Sequence, residues 1–156
     1  MMSRLFKVGL VITLLSLTAP FAVAEETHGS GKGFSRIADS KTIEGKSGQI
    51  VHNTAVDFWH YENAPKGWPT AVMATCHQSI LFKAGSKAPI SIQMICESVD
   101  SDGDASIWVG KVDPKTGVGQ GEMISGTGKY ANAKAKPTFQ TIYQIDTGHS
   151  IYKFKW

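Results

Sequence analysis

Short runs of alternating apolar and polar residues, separated by Gly, Pro, Asp and Ser, follow one another along the chain after residue 25. Alternation with a period of two is typical of β-strands that bury one face, and no amphipathic helix of useful length interrupts it. The pattern predicts eight strands, at 34–43, 49–61, 71–82, 90–98, 107–109, 118–124, 138–145 and 149–156. Eight short strands at regular spacing predict an all-β fold, an antiparallel barrel or sandwich. The alternating strand that ends at Trp156 would find a partner in the first strand if a barrel closes.

The third and fourth strands form the best-defined hairpin, because their pattern also sets a register. If the turn 83–89 is centred on Ser86, Cys76 faces Cys96 directly. The same register pairs Ile80 with Ile92, Gln78 with Met94 and Phe82 with Ile90. A one-residue slip would turn these side chains to opposite faces, so we predict a Cys76–Cys96 disulfide in this register. The alternative, a redox or metal pair, lacks the Cys-x-x-Cys spacing.

The first 24 residues have the pattern of a secretory signal peptide. Arg4 and Lys7 precede an apolar run at 8–23, which ends in the small-x-small sequence Ala22-Val23-Ala24. This sequence predicts cleavage after Ala24. The alternative is an uncleaved membrane anchor, but the run is interrupted by Pro20 and is shorter than the roughly 20 residues of a membrane-spanning helix. We therefore predict a signal peptide at 1–24 and one β-barrel domain at 25–156, with a mobile Gly-rich lead at 25–32.

Charge excludes some classes of partner. Loss of Arg4 and Lys7 with the signal leaves 14 basic against 13 acidic residues, a net charge of +1 in place of +3. Without a basic patch or a further apolar span, no nucleic-acid partner is expected, and no membrane association after signal cleavage. The predicted localisation is periplasmic or secreted, in a bacterium, where an oxidising environment suits the disulfide.

Two groups of residues are candidates for binding. The aromatic side chains of Trp59, Trp108 and Phe58 are weak candidates to line a ligand cavity, with ordinary core packing as the alternative. Asp100, Asp102 and Asp104 lie within five residues and form a weak calcium candidate. The spacing does not fit an EF-hand loop, because Gly103 falls at position 4 and Lys111 at position 12. An acidic hairpin turn is the favoured interpretation, and no metal site is predicted.

The last third of the chain resembles a known family. Gly126-Thr127-Gly128-Lys129-Tyr130-Ala131, preceded by Asp102-Gly103-Asp104 and Trp108-Val109-Gly110, resembles the allene oxide cyclase-like barrels, most closely small exported bacterial proteins of that type. The family pattern continues with Gly where this chain has Asn132. The resemblance covers about residues 96–156 and implies an eight-stranded antiparallel barrel with a central cavity, similar in shape to lipocalins. No position matches the catalytic residues of the cyclase, so its activity is not implied.

The function hypotheses follow from these features. The leading one is an exported barrel that binds a small apolar molecule in its interior. The alternatives are an isomerase or cyclase on a hydrophobic substrate, and a packed structural or protein-interaction module. An enzyme would need an ionisable group inside the barrel, for which Glu97, Asp57 and His77 are the weak candidates, and no catalytic residue is assigned. No cofactor is predicted. Gly126–Ala131 imitates a dinucleotide fingerprint, but Pro137 leaves fewer than about a dozen residues for the long helix that such a site requires.

Overall fold

Eight β-strands close into one antiparallel barrel in the computed structural model, which describes residues 25–156. Each strand predicted from the sequence is present, with somewhat different ends, and two short strands are added. The elements are β1 (Glu25–Glu26), β2 (Ser30–Gly45), β3 (Gly48–Asn63), β4 (Ala71–Lys83), β5 (Pro89–Val99), β6 (Ala105–Val112), β7 (Val118–Gly126), a 3₁₀ turn (Gly128–Tyr130), β8 (Ala133–Lys134), β9 (Thr138–Gln144) and β10 (His149–Lys155). The prediction of an all-β, eight-stranded antiparallel barrel is confirmed.

The ring follows the order β10-β2-β3-β4-β5-β6-β7-β9, so the last strand closes against the first long one, as expected. The seam between β7 and β9 has a ladder of only three residue pairs, Val118–Gln120 against Thr138–Gln140. The chain before β9 extends this seam, because the Gly121 N–H donates to the carbonyl of Pro137 at 2.7 Å and the Met123 N–H to that of Ala135 at 2.9 Å. Outside the ring, β1 pairs with β8 in parallel, and the 25–32 segment expected to be mobile also contains the start of β2.

Alternation along each strand separates the interior from the outer surface. In β4, Val72, Ala74 and Cys76 are buried, while Met73 and His77 between and beside them are exposed. Successive side chains of a strand point to opposite faces, so the residues of one parity fill the barrel and those of the other cover it.

The β4–β5 hairpin has the predicted register over most of its length. Cys76 and Cys96 are direct partners and form a disulfide, and Ile80 faces Ile92. The ladder shifts between Leu81 and Phe82, so Phe82 pairs with Pro89. The predicted pairing of Phe82 with Ile90 is therefore wrong. A β-bulge of this kind places one extra residue on one strand and changes the register beyond it.

Aromatic side chains fill one end of the barrel. The cluster, called here the aromatic plug, consists of Tyr61, Trp68, Trp108, Tyr130, Phe154 and Trp156. Trp68 comes from the loop between β3 and β4 and meets the Tyr130 ring edge-to-face, with 4.9 Å between ring centroids. Edge-to-face packing is a preferred geometry for such rings. Because the plug fills this end, any free interior space lies towards the other one.

One feature, the disulfide, bears on the predicted export. The Cys76–Cys96 disulfide fits a protein that folds in an oxidising compartment. Within residues 25–156, no helix has the length and apolar character needed to cross a bilayer. The predicted signal peptide at 1–24 lies outside the described residues.

Candidate functional site

The interior beyond the aromatic plug is a cavity of about 650 Å³. Its size is within the range of small-molecule sites, roughly 300–1,000 Å³. Much of its wall is apolar. The apolar side chains that form it come from seven of the eight barrel strands: Ile37, Trp59, Ile80, Ile92, Met94, Trp108, Val112, Phe139 and Tyr152. The two cysteines of the disulfide, Cys76 and Cys96, also line the cavity. The barrel is thus packed at one end and open inside at the other.

A buried carboxylate lies in the wall of this cavity. Asp57 is on the inward face of β3 and is 5% exposed. Its Oδ2 accepts a hydrogen bond of 2.6 Å from the Tyr152 hydroxyl and a longer one of 3.4 Å from the indole N–H of Trp59. Its Oδ1 is buried without a hydrogen-bond partner among the protein groups of residues 25–156. A buried polar atom left in this way is costly, and in native proteins it often marks a functional position.

Tyr152 reaches Asp57 because the facing strand has no side chain at the position opposite. Gly33 of β2 pairs directly with Tyr152, and a Cβ atom on Gly33 would lie 2.1 Å from the Tyr152 ring. Burial, together with the neighbouring Asp57 charge, raises the pKa of Tyr152 well above its ordinary value. The hydroxyl therefore stays protonated and donates to the carboxylate.

Within residues 25–156, the cavity lining contains a single charged residue, and it is acidic. Asp57 is the one Asp or Glu among the described residues that line it, and no Lys, Arg or His side chain of that lining set is present to pair with it. Asn53, Gln78, Gln140 and Gln144 add neutral polar groups. The interior therefore combines apolar walls with a single acidic group.

Two of the three predicted ligand residues face the cavity, and the third does not. Trp59 and Trp108 both line the cavity and pack edge-to-face, with ring centroids 5.8 Å apart. The Trp108 indole N–H donates to the Ser106 hydroxyl at 2.8 Å, which satisfies its polar edge. Phe58 lies on the outer face of β3 and is 44% exposed, so its side chain does not reach the interior.

Of the three ionisable candidates, one faces the cavity and two do not. Glu97 and His77 are exposed on the outer surface of the barrel, whereas Asp57 faces the cavity. Only Asp57 is placed to meet a molecule bound inside. Its partner Tyr152 was not singled out from the sequence, because 95 residues separate the two along the chain.

The acidic segment Asp100–Asp104, called here the acidic turn, gathers around a lysine. The Lys129 ammonium lies 2.7 Å from Asp100 Oδ2, 2.8 Å from Asp102 Oδ2 and 3.2 Å from Asp104 Oδ2. Among residues 25–156, no group of three His, Cys, Asp or Glu side chains is placed to hold a metal ion. One ammonium therefore contacts all three carboxylates of the acidic turn.

Asp100 organises this region from a buried position. It accepts hydrogen bonds from the Lys129 ammonium, from the Tyr130 hydroxyl at 3.0 Å, and from the backbone N–H groups of Asp102 and Asp104. Burial opposes ionisation of the carboxyl, but these donors outweigh it and lower the pKa of Asp100. The Gly-x-Gly-Lys-Tyr sequence thus has a structural role.

The second glycine of that sequence, Gly128, lies too close to the acidic turn to carry a side chain. Gly128 has φ +47°, a left-handed conformation that favours glycine, and a Cβ atom there would lie 1.9 Å from the Asp104 carboxylate. Three carboxylates this close together need a cation nearby. That need is the sequence signal from which the contact with Lys129 could have been predicted.

Comparison of the chain with protein-family models, with curated proteins and with solved structures finds no match.

Proposed function

We propose that this protein is an exported barrel of the bacterial periplasm or exterior that binds a small, largely apolar molecule in its interior. The observation that carries the proposal is the cavity of about 650 Å³ beyond the aromatic plug. An eight-stranded barrel is narrow enough to be filled by its own side chains, so an interior half left open is a specific feature of this chain.

The composition of the wall supports the same function. Apolar side chains such as Ile80, Ile92 and Met94 line the cavity together with rings such as Trp59 and Trp108. Burial of apolar ligand surface against such groups contributes roughly 25 cal/mol per Å². The disulfide ties together two strands of this wall, which favours a preformed site. A fully packed interaction module would leave no such space.

The proposal includes the family resemblance. A closed eight-stranded ring with an interior cavity is the shape expected of an allene oxide cyclase-like barrel, and this supports the resemblance of residues 96–156. The activity of that family is not part of the proposal.

One observation favours a second candidate, an isomerase or cyclase acting on a hydrophobic substrate. Asp57 supplies the interior ionisable group that such an enzyme needs as an acid or base. A compound extracted from the Asp57→Asn protein should then rearrange on incubation with the wild type. If it is recovered unchanged, this candidate is wrong and the binding proposal is unaffected.

A neutral, apolar, environment-sensitive dye, N-phenylnaphthylamine, tests the proposal directly. Ile80→Trp would place a bulky ring in the cavity and obstruct it, and Leu81→Trp is its matched control, because Leu81 is the next residue of β4 and faces outwards. We expect I80W to weaken dye binding by about tenfold or more and L81W to leave it within about twofold. No dye binding to the wild type, or equal losses in the two variants, would overturn the proposal.

A further inference from the structure

The interior carboxylate of Asp57 is only partly compensated. Both of its donors, Tyr152 and Trp59, are neutral and both bond to the same oxygen, Oδ2. Oδ1 has no partner among the described protein groups. Removing a carboxylate from water is expensive unless an opposite charge or further hydrogen bonds accompany it. A bound molecule that brings a positive charge would therefore gain more at this place than a neutral one.

The surroundings of Asp57 suit a cation and not an anion. Within the described lining residues, no Lys, Arg or His side chain competes for the carboxylate. The rings of Trp59, Trp108 and Phe154 lie in the same part of the interior, with Trp59 5.8 Å from Trp108 and 6.5 Å from Phe154 between centroids. The faces of aromatic rings attract ammonium groups, most strongly where water is excluded.

Charge attraction also reaches beyond direct contact. In surroundings of low dielectric constant, two opposite charges several ångströms apart attract more strongly than they do in water. An ammonium in the cavity would thus be held by Asp57 even where the Trp59 and Tyr152 rings stand between them. A carboxylate or phosphate ligand would meet repulsion from the same group.

From these observations we propose that the cavity selects apolar molecules that carry a protonated amine, with Asp57 as the anion that binds the ammonium. The proposal rests on the proposed function and deepens it, by assigning a ligand class to the same cavity. The aliphatic wall takes the apolar part of the molecule and the Asp57 region takes its charged end.

Three probes with one ring system and different end groups test the ligand class: naphthylethylamine, naphthylethanol and naphthylacetate. Each is titrated calorimetrically, at neutral pH, into the protein purified with its disulfide intact. We expect the amine to bind about tenfold or more tightly than the alcohol, and the acetate to bind most weakly. Asp57→Asn should bring the amine affinity down to that of the alcohol, while the alcohol affinity changes by less than about twofold.

Two further variants separate the charge of Asp57 from other effects. Glu97→Gln removes one negative charge from the outer surface and should leave the preference for the amine intact. Tyr152→Phe removes the hydroxyl donor but keeps the carboxylate, which is then less compensated, so the preference for the amine should increase. The wild-type comparison is decisive even if Asp57→Asn does not fold.

The outcomes distinguish the two proposals. Equal binding of the three probes, or tightest binding of the acetate, would overturn the ligand class and leave an apolar binding site. A preference for the amine that survives Asp57→Asn would remove Asp57 from its assigned role. If neither the probes nor the neutral dye bind to the wild type, both proposals fail.

Discussion

The ammonium of Lys129 lies 2.7 Å from Oδ2 of Asp100, a carboxylate whose side chain is fully buried. This contact joins the turn between β5 and β6 to the 3₁₀ turn after β7, 29 residues along the chain. The Tyr130 hydroxyl binds the same oxygen and carries its ring into the aromatic plug. The acidic turn therefore secures the filled end of the barrel, and the stability of the fold should depend on it.

Tyr130→Phe tests the hydrogen bond at the centre of this arrangement. The variant keeps the buried ring but removes a donor to a buried carboxylate, so we expect it to lower the free energy of unfolding by about 2 kcal/mol. Urea denaturation followed by tryptophan fluorescence would measure the loss. Tyr143→Phe is the matched control, because Tyr143 is 63% exposed, and it should cost less than about 0.5 kcal/mol. Equal costs in the two variants would contradict the assignment.

Acid should weaken the same region. The folded pKa of Asp100 is lowered, so its stabilising effect is complete above the unfolded pKa of about 3.9 and is lost as pH falls through the folded pKa. We expect the difference in unfolding free energy between wild type and Asp100→Asn to be constant from about pH 5 to 8 and to shrink below about pH 4. Other carboxyls contribute equally to both proteins and cancel. A difference that does not change in acid would show that Asp100 acts through packing alone.

Gly128→Ala should be more damaging than the same substitution at Gly67, another glycine with a positive φ. Gly128 and Gly67 both have left-handed backbone, at φ +47° and +82°, but only at Gly128 does a Cβ meet a neighbour, the Asp104 carboxylate. We expect Gly67→Ala to cost about 1 kcal/mol from backbone strain and Gly128→Ala about 3 kcal/mol, because Asp104 must also move. Thermal unfolding by circular dichroism compares them, and similar melting temperatures would count against a specific role of Gly128.

Removing the disulfide should weaken the wall of the cavity. The bridge closes a loop with a sequence separation of 20, so the paired Cys76→Ala and Cys96→Ala substitutions should cost about 3 kcal/mol in unfolding free energy. Denaturation of the double variant beside the oxidised and reduced wild type would check this. The reduced wild type should resemble the variant, and a loss below about 1 kcal/mol would show that strand pairing alone holds this hairpin.

The fold was largely accessible to sequence reasoning because its signals are local. Alternation located all eight barrel strands, and two independent cues, a cysteine pair and facing apolar residues, agreed on the β4–β5 register. The bulge between Leu81 and Phe82 was missed, because it depends on how the ladder accommodates one extra residue near the turn. Strand alternation alone already implied that Phe58 and Trp59, as neighbours, could not both face the interior.

The candidate site was less accessible because its contacts are long-range. Asp57 meets Tyr152 only after the ring closes through β10 and β2, and the acidic turn meets Lys129 through the packing of β6 against β7. Neither contact can be derived from strand alternation or from the spacing of the residues along the chain. The size of the cavity likewise depends on how far the aromatic plug reaches into the barrel, which only the packed rings determine.

Native mass spectrometry of the protein, purified without denaturation from the cells that make it, tests interior binding most directly. The proposed function predicts a complex heavier than the bare chain by the mass of a small molecule that is lost on denaturation. That added mass should be absent from the Ile80→Trp protein and present on Leu81→Trp. A bare chain mass for the wild type, together with failure to bind the neutral dye, would contradict interior binding.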